Sequence, residues 1–383
     1  MIVAAVGGSE RLCGRHREGA RIRRFEDRQP LARPDENCRP EEILGRSSLK
    51  LSMGLWKNRF GGVGMKTTLW VLFCAAAFGQ NSYNPPRTPY GQPDLERVWD
   101  YRTIAPLERP KELGTKAFFT AEEAANYERE ESRRQNRDLI DSKQGGSLYP
   151  PGGVVPYNEF WYDRGNKVAG TKRTSLIVDP PDGRLPPLTP EGQKKAEARA
   201  VASRNDQLGN PLADSWEDRP LQERCLMGFN AGPPMIPGAY NNNVQLVQTP
   251  GHIVILNEMV HSARIIPLDA RPHGSVRQWS GDSRGHWEGN TLVVDTVNFK
   301  RETSLEGSSA NTHLIERFTR AGENALLYEF TVDDPSTWTK PWSAVIPMSK
   351  GEGPIYEYAC HEANYAMEGI LSGARKRETQ AAK

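Results

Sequence analysis

A mainly β protein is the fold class that the sequence predicts: an antiparallel meander closing into a barrel-like or strongly curved sheet, with two peripheral surface helices. Three observations predict it. The stretch from Gly281 to Phe299 places Gly289-Asn290 between an approaching strand and the β-branched run Thr291-Leu292-Val293-Val294, and such a pair tolerates the positive φ of a tight hairpin turn. From Val244 onward, short runs rich in Val, Ile, Leu, Tyr and Phe alternate with turn residues, as they do in a meander. Both faces of the run Leu292 to Phe299 are partly apolar, so that strand is covered on both sides. Asp295 then needs a donor on its own face, and closure is the simplest way to hide the sheet's edges.

Taken in order, ordered structure begins at Pro93-Asp94-Leu95, and Trp99 in the first strand is suited to plug one end of a small barrel, as in lipocalin-like domains. Thr120-Ala121-Glu122-Glu123 is a capping box opening a charged helix near 120–143. Its apolar positions are sparse, so the helix lies on the surface. The aromatic stretch Gly152 to Gly165 and the strand Thr174 to Asp179 are positioned to pair as a hairpin, the latter stopped by Pro180-Pro181-Asp182-Gly183. Thr189-Pro190 caps a second charged helix near 189–204. Residues 205–243 form a long irregular segment, a length of loop that often belongs to a site; Met235, Tyr240 and the Asn cluster there would suit the wall of a small-molecule pocket. The bland alternative is a covering loop pinned at Cys225. Strands follow at Val244–Thr249, His252–Glu258, His261–Leu268, the two arms of the Gly289-Asn290 hairpin, His313–Arg320, Leu326–Val332, Trp342–Pro347 and Ile355–Tyr358.

The whole chain of 383 residues carries a net charge of +2, but that figure mixes two regions. Residues 1–79 hold 14 of the 50 Lys and Arg and 8 of the 48 Asp and Glu, a net of +6, which leaves 36 against 40, or −4, for residues 80–383. A nucleic-acid reading built on the whole-chain balance therefore fails. Residues 1–64 are Arg-rich without apolar periodicity and read as an upstream extension, with Met53 a second possible start. Met65 to Gly79 reads as a secretory signal: Lys66, the apolar run Leu69 to Phe78, and a small-x-small end at Ala77-Phe78-Gly79. The run is too short to span a bilayer, and the bulky Phe73 argues against lipidation at Cys74. The expected organisation is thus an extension (1–64), a signal (65–79), a polar linker (80–98), a single β-rich domain (99–372) and a charged tail (373–383), exported to a periplasmic or extracellular location. Cys225 and Cys360, the two cysteines left in the exported part, read as one disulfide closing a long loop; two separate buried thiols are the alternative.

Chemistry is less legible. His252, His261, His313 and His361 fall in or beside strands, His273 in a loop and His286 in the hairpin, with no helical His-x-x-x-His spacing. No metal or cofactor is implied. Glu258, Glu316 and Glu329 each share a strand face with apolar residues. Burial would raise their pKa values unless Arg264, Arg317 or Arg320 pairs with them. The candidates for catalysis are accordingly His261, His313, Glu258 and Glu316, and those for ligand binding Met235, Tyr240, Arg264 and Glu329. Gly-x-Ser-x-Gly, P-loop, dinucleotide-glycine and Cys-x-x-Cys patterns are absent.

The mature chain resembles a large family of uncharacterised exported proteins abundant in soil acidobacteria and related bacteria. The resemblance rests on Pro93-Asp94-Leu95 with Val98-Trp99, Asp214 to Cys225, Gly232 to Pro237, Gly281 to Phe299, Asp333-Asp334-Pro335 with Trp338 and Trp342, and Cys360-His361-Glu362-Ala363-Asn364-Tyr365. Glu96-Arg97 departs from the smaller pair usual there, and residues 1–64 take no part. The family implies no established activity. Three expectations result: a binding protein of lipocalin-like curvature for a small or apolar ligand, without a membrane span; a hydrolase or isomerase pairing one of the histidines with one of the acids; or a structural envelope protein. An enclosed apolar cavity, a His and carboxylate facing a cavity, and a filled interior would distinguish them.

Overall fold

The computed structural model describes residues 83–381 except 142, 146–150, 153–157, 169, 209–210, 304, 306 and 363. The upstream extension, the signal segment and Cys74 lie outside the described residues, as does part of the aromatic stretch after Gly152. Strand β1 spans Arg97–Asp100, β2 Ile177–Asp179, β3 Asn243–Gln248, β4 His252–Asn257 and β5 Ala263–Pro267. They are followed by β6 Asp282–Glu288, β7 Thr291–Val297, β8 His313–Gly322, β9 Ala325–Asp333 and β10 Trp342–Lys350.

These strands make one antiparallel sheet in the order β5-β4-β3-β1-β10-β9-β8-β7-β6, with β2 laid beside β10. The two runs of hairpins, β3 to β5 and β6 to β10, are joined by β1, whose Trp99 stands opposite Val244 on one side and Lys350 on the other. Curvature brings the edge strands β5 and β6 together without a hydrogen-bonded ladder, so the barrel is nearly closed, with one seam. Along part of the seam the contact is tight. A Cβ on Gly285 of β6 would come within 2.7 Å of Leu268 and 3.0 Å of Ile266, so only glycine lets the two edges approach there. Gly289 at the β6–β7 turn has φ +61°, the backbone state the Gly-Asn pair was read to require.

Period-two alternation sets the inside. On β8, Leu314, Glu316, Phe318 and Arg320 point inward and are buried, while the residues between them are partly exposed. The interior is filled by side chains: rings of Phe318 and Tyr328 lie 4.8 Å apart, Tyr328 and Phe330 5.7 Å, and Phe330 and Trp342 5.6 Å. Trp99 is fully buried and its indole N–H donates to the Leu95 carbonyl at 2.9 Å. Each such side chain contributes about 1.5–3 kcal/mol by leaving water, far more than any single cap or surface pair. Asp334, from the Asp-Asp-Pro motif, is buried and accepts from the hydroxyls of Ser309 at 2.8 Å and Thr337 at 2.9 Å. It thereby ties the β7–β8 connection to the β9–β10 turn.

Helix α1, Ala121–Gln135, starts at the expected capping box, with Thr120 and Glu123 bonded reciprocally. Helix α2, Pro190–Gln207, starts at Thr189 with Pro at its first position. A third helix, α3 Tyr365–Ala381, occupies most of the expected charged tail. Its Ala, Leu, Met, Lys, Arg, Glu and Gln residues are strong helix formers, and Gly369 and Gly373 mask that tendency in the sequence. Arg375 fastens the helix by donating to the carbonyls of Asp214 at 2.9 Å and Ala213 at 3.1 Å. Two expected strands do not appear among the described residues. Glu159–Trp161 is a 3₁₀ turn exposing Phe160 and Trp161, and β2 pairs with β10 instead. Residues 355–358 form neither strand nor helix, and Tyr356 is exposed.

Candidate functional site

Three residues nominated from the sequence meet inside the barrel. Arg264 on β5 reaches across to Glu316 on β8 with two parallel bonds, Nη1 to Oε2 at 2.7 Å and Nη2 to Oε1 at 2.9 Å. The Tyr328 hydroxyl on β9 donates to the same Glu316 Oε1 at 2.7 Å and accepts from the Met235 backbone N–H at 3.1 Å. Glu316 and Tyr328 are fully buried and Arg264 is 5% exposed. Burial works against a charged guanidinium, yet the Glu316 carboxylate outweighs it and raises the Arg264 pKa. Burial, reinforced by the adjacent Glu316 charge, pushes the Tyr328 phenol well up. The pairing anticipated for a buried acid is thus met at Glu316 by Arg264. Both carboxylate oxygens are engaged, and His313 sits on the opposite face of β8, so the two do not form an acid–base pair.

The other nominated residues are dispersed. Glu258 lies beyond the end of β4 and accepts from the Asn243 side-chain amide at 2.8 Å. It does not continue the face of Val254 and Leu256, because the chain turns at Met259–His261, where Val260 and His261 both have positive φ. His261 is exposed there. Tyr240 is half-buried, its ring 5.4 Å from that of Phe229. Glu329 stands on the outer face opposite Arg317. Burial raises its pKa and the Arg317 charge only partly offsets this. A raised acid pKa favours folding below the ordinary carboxylate range and opposes it once the group ionises on rising pH. Glu329→Gln is therefore expected to stabilise the protein at neutral pH by under about 1 kcal/mol, the gain vanishing below about pH 4; urea titrations at the two pH values check it.

Asp295, read as needing a donor, has two imidazoles. His273 Nε2 lies 3.1 Å from one oxygen and His313 Nε2 3.1 Å from the other. His273 also faces Asp282, which accepts from the Gly274 N–H at 2.7 Å. This outer-face cluster fastens the β5–β6 connection to β6 and β7. Among the described residues, no group of three or more His, Cys, Asp or Glu is arranged to hold a metal ion.

At the seam the structure opens. Ala263, Arg264 and Ile265 of β5, residues 277–281, Asp282 and Ser283 of β6, and Lys300 line a cleft of about 580 Å³. Arg264 is its buried floor, and the guanidinium Nε there is buried with no hydrogen-bond partner. The wall carries Trp279, with the Lys300 ammonium 4.1 Å from its ring centroid and the Arg224 guanidinium at 6.0 Å. Ile265 is 68% exposed at the mouth. Trp279, Arg277 and Lys300 were not nominated from the sequence: the cleft exists only because β5 and β6 meet without pairing, and no local pattern marks that. The disulfide is formed between Cys225 and Cys360. Asn364, next in the same motif, donates to the Glu223 carbonyl at 3.1 Å.

No family model and no curated protein matches the chain. Among solved structures, the chain is similar to a crystal structure of a mutant of the fluorescent protein UnaG, at 9% identity and a TM-score of 0.20, over 34% of this chain and 86% of that one. Likeness at that level has no bearing on function. No helix among the described residues is long and apolar enough to cross a membrane.

Proposed function

We propose that this is an exported, non-catalytic protein that binds a small molecule in the seam cleft of its barrel, and that it belongs with the exported acidobacterial proteins it resembles. The observation that carries the binding reading is the seam cleft itself, about 580 Å³ and so of ligand size, where the Trp279 ring and the cations Arg277 and Lys300 come together beside Arg264. Support for export comes from the Cys225–Cys360 bridge, which suits an oxidising compartment. Phe318, Tyr328 and Phe330 fill the interior, so the enclosed apolar cavity expected of a lipocalin-like binder is replaced by side chains and that feature alone fits the structural alternative; the open seam cleft is what supports a binding reading instead.

Native mass spectrometry of the protein purified from an oxidising compartment tests this. A retained molecule of a few hundred daltons, the size a cleft of this class encloses, is expected with the parent chain and absent with Ala263→Trp, which fills the exposed mouth without touching the core. A ligand equally retained by Ala263→Trp would move the site elsewhere. Loss of bound material only on unfolding of the variant is excluded by matching the thermal midpoints.

A further inference from the structure

We infer that the ligand of the seam cleft is a small organic anion, a carboxylate or sulfonate carried on a planar apolar body; this rests on the cleft being the binding site. The charge balance of the lining points that way. Arg277 and Lys300 line the cleft together with Trp279, the Lys300 ammonium 4.1 Å from the ring centroid, and among the described residues no ion pair engages either cation. The Nη1 of Arg277 is spent on neutral acceptors, donating to the carbonyls of Phe299 at 2.9 Å and of Ala310. Among the described residues no carboxylate compensates its charge. The one acid in the lining, Asp282, is already held by Arg284, the Gly274 N–H and His273. Beneath them Arg264 is neutralised by Glu316 but retains an unpartnered N–H.

Cations left without counter-ions cost little while water reaches them, and they attract an anion strongly where the cleft walls displace that water. A purely hydrophilic anion would leave the rest of the lining unused. The Trp279 ring and the exposed Ile265 side chain offer apolar area to a planar body, and aromatic side chains combine such area with low ordering cost. A cationic ligand meets repulsion from Arg277 and Lys300. A neutral apolar one leaves the ammonium of Lys300 partly desolvated without a partner.

Two fluorescent probes with the same ring system separate the charge from the ring: anilinonaphthalene sulfonate and its uncharged counterpart phenylnaphthylamine. Titrated into the full chain, the sulfonate is expected to bind at least about tenfold more tightly, a difference of about 1.4 kcal/mol. Raising the salt concentration is expected to erode that preference, since the cleft is open to ions. Lys300→Gln should weaken the sulfonate about fivefold to tenfold and leave phenylnaphthylamine within about twofold, whereas Trp279→Ala should weaken both. Equal affinities for the two probes, with both lost in Ala263→Trp, would overturn the anion inference and leave the cleft as the site. Binding of both probes undisturbed by Ala263→Trp and by Trp279→Ala would overturn the site and the inference together. Circular dichroism melts of each variant confirm that the folded protein is being compared.

Discussion

Arg264→Met is expected to destabilise the protein by about 3–5 kcal/mol, because it strands the Glu316 carboxylate inside the barrel. Glu316 has no exposure to recover hydration, and the Tyr328 hydroxyl alone would remain to solvate it. The measurement is equilibrium urea unfolding, read as a lower midpoint at unchanged slope. Glu316→Leu alone should cost a similar amount by stranding Arg264. The double variant Arg264→Met with Glu316→Leu is the informative construction. Removing both charges also removes both desolvation penalties, so it should recover most of the loss and can exceed the parent. Strong non-additivity is thus the expected signature. Should the two single losses simply add in the double variant, the buried pair is not the coupled unit described. Arg264→Met also bears on the cleft, since the same guanidinium forms its floor. The double variant, which keeps the fold but changes the cleft floor, separates an effect on ligand retention from an effect of unfolding.

How far the sequence reaches is visible in this same network. Alternation on β8 showed that Glu316 shares a face with Leu314 and Phe318, and charge logic required an arginine for it. Arg264 was among the few offered. Which arginine would serve was not legible, because the choice depends on the curl of the sheet bringing β5 opposite β8, with five strands between them by one route and the seam, β6 and β7 between them by the other. The hairpin at Gly289-Asn290, the caps at Thr120 and Thr189 and the strand positions from Val244 to Pro347 are local statements, and periodicity and turn chemistry suffice for them. The seam cleft is not local. Its lining comes from β5, β6, residues 277–281 and Lys300, none of which carries a pattern of its own. Helix α3 was missed for another reason: its glycines and lack of an apolar stripe gave it the composition of a tail, whereas its anchoring comes from Arg375 bonding to backbone carbonyls far away in sequence.

Removing the bridge, by Cys225→Ser with Cys360→Ser, should cost about 4–5 kcal/mol on the chain-entropy account of a loop this long. The two cysteines are 135 residues apart, and everything from β3 to β10 lies within the closed loop, so the unfolded chain gains a large freedom when it opens. Removal should have a local consequence as well. Cys225 adjoins Arg224, whose guanidinium lies 4.5 Å from the Trp216 ring centroid and 6.0 Å from that of Trp279, while on the other side Asn364 and Arg375 fasten α3 to residues 213–223. Without the bridge, these polar contacts alone hold the segment, and each contributes about 0.5–1.5 kcal/mol net. Amide hydrogen exchange should therefore rise first in residues 211–228 and in α3, ahead of the β8–β9–β10 ladder, whose opening approaches global unfolding. The cleft should follow the same order: probe affinity falls as Arg224 and Trp279 lose their fixed placement, before the barrel melts. Exchange that rises uniformly across the sheet and α3 would mean the bridge stabilises only through the unfolded chain and does not hold the cleft wall in place.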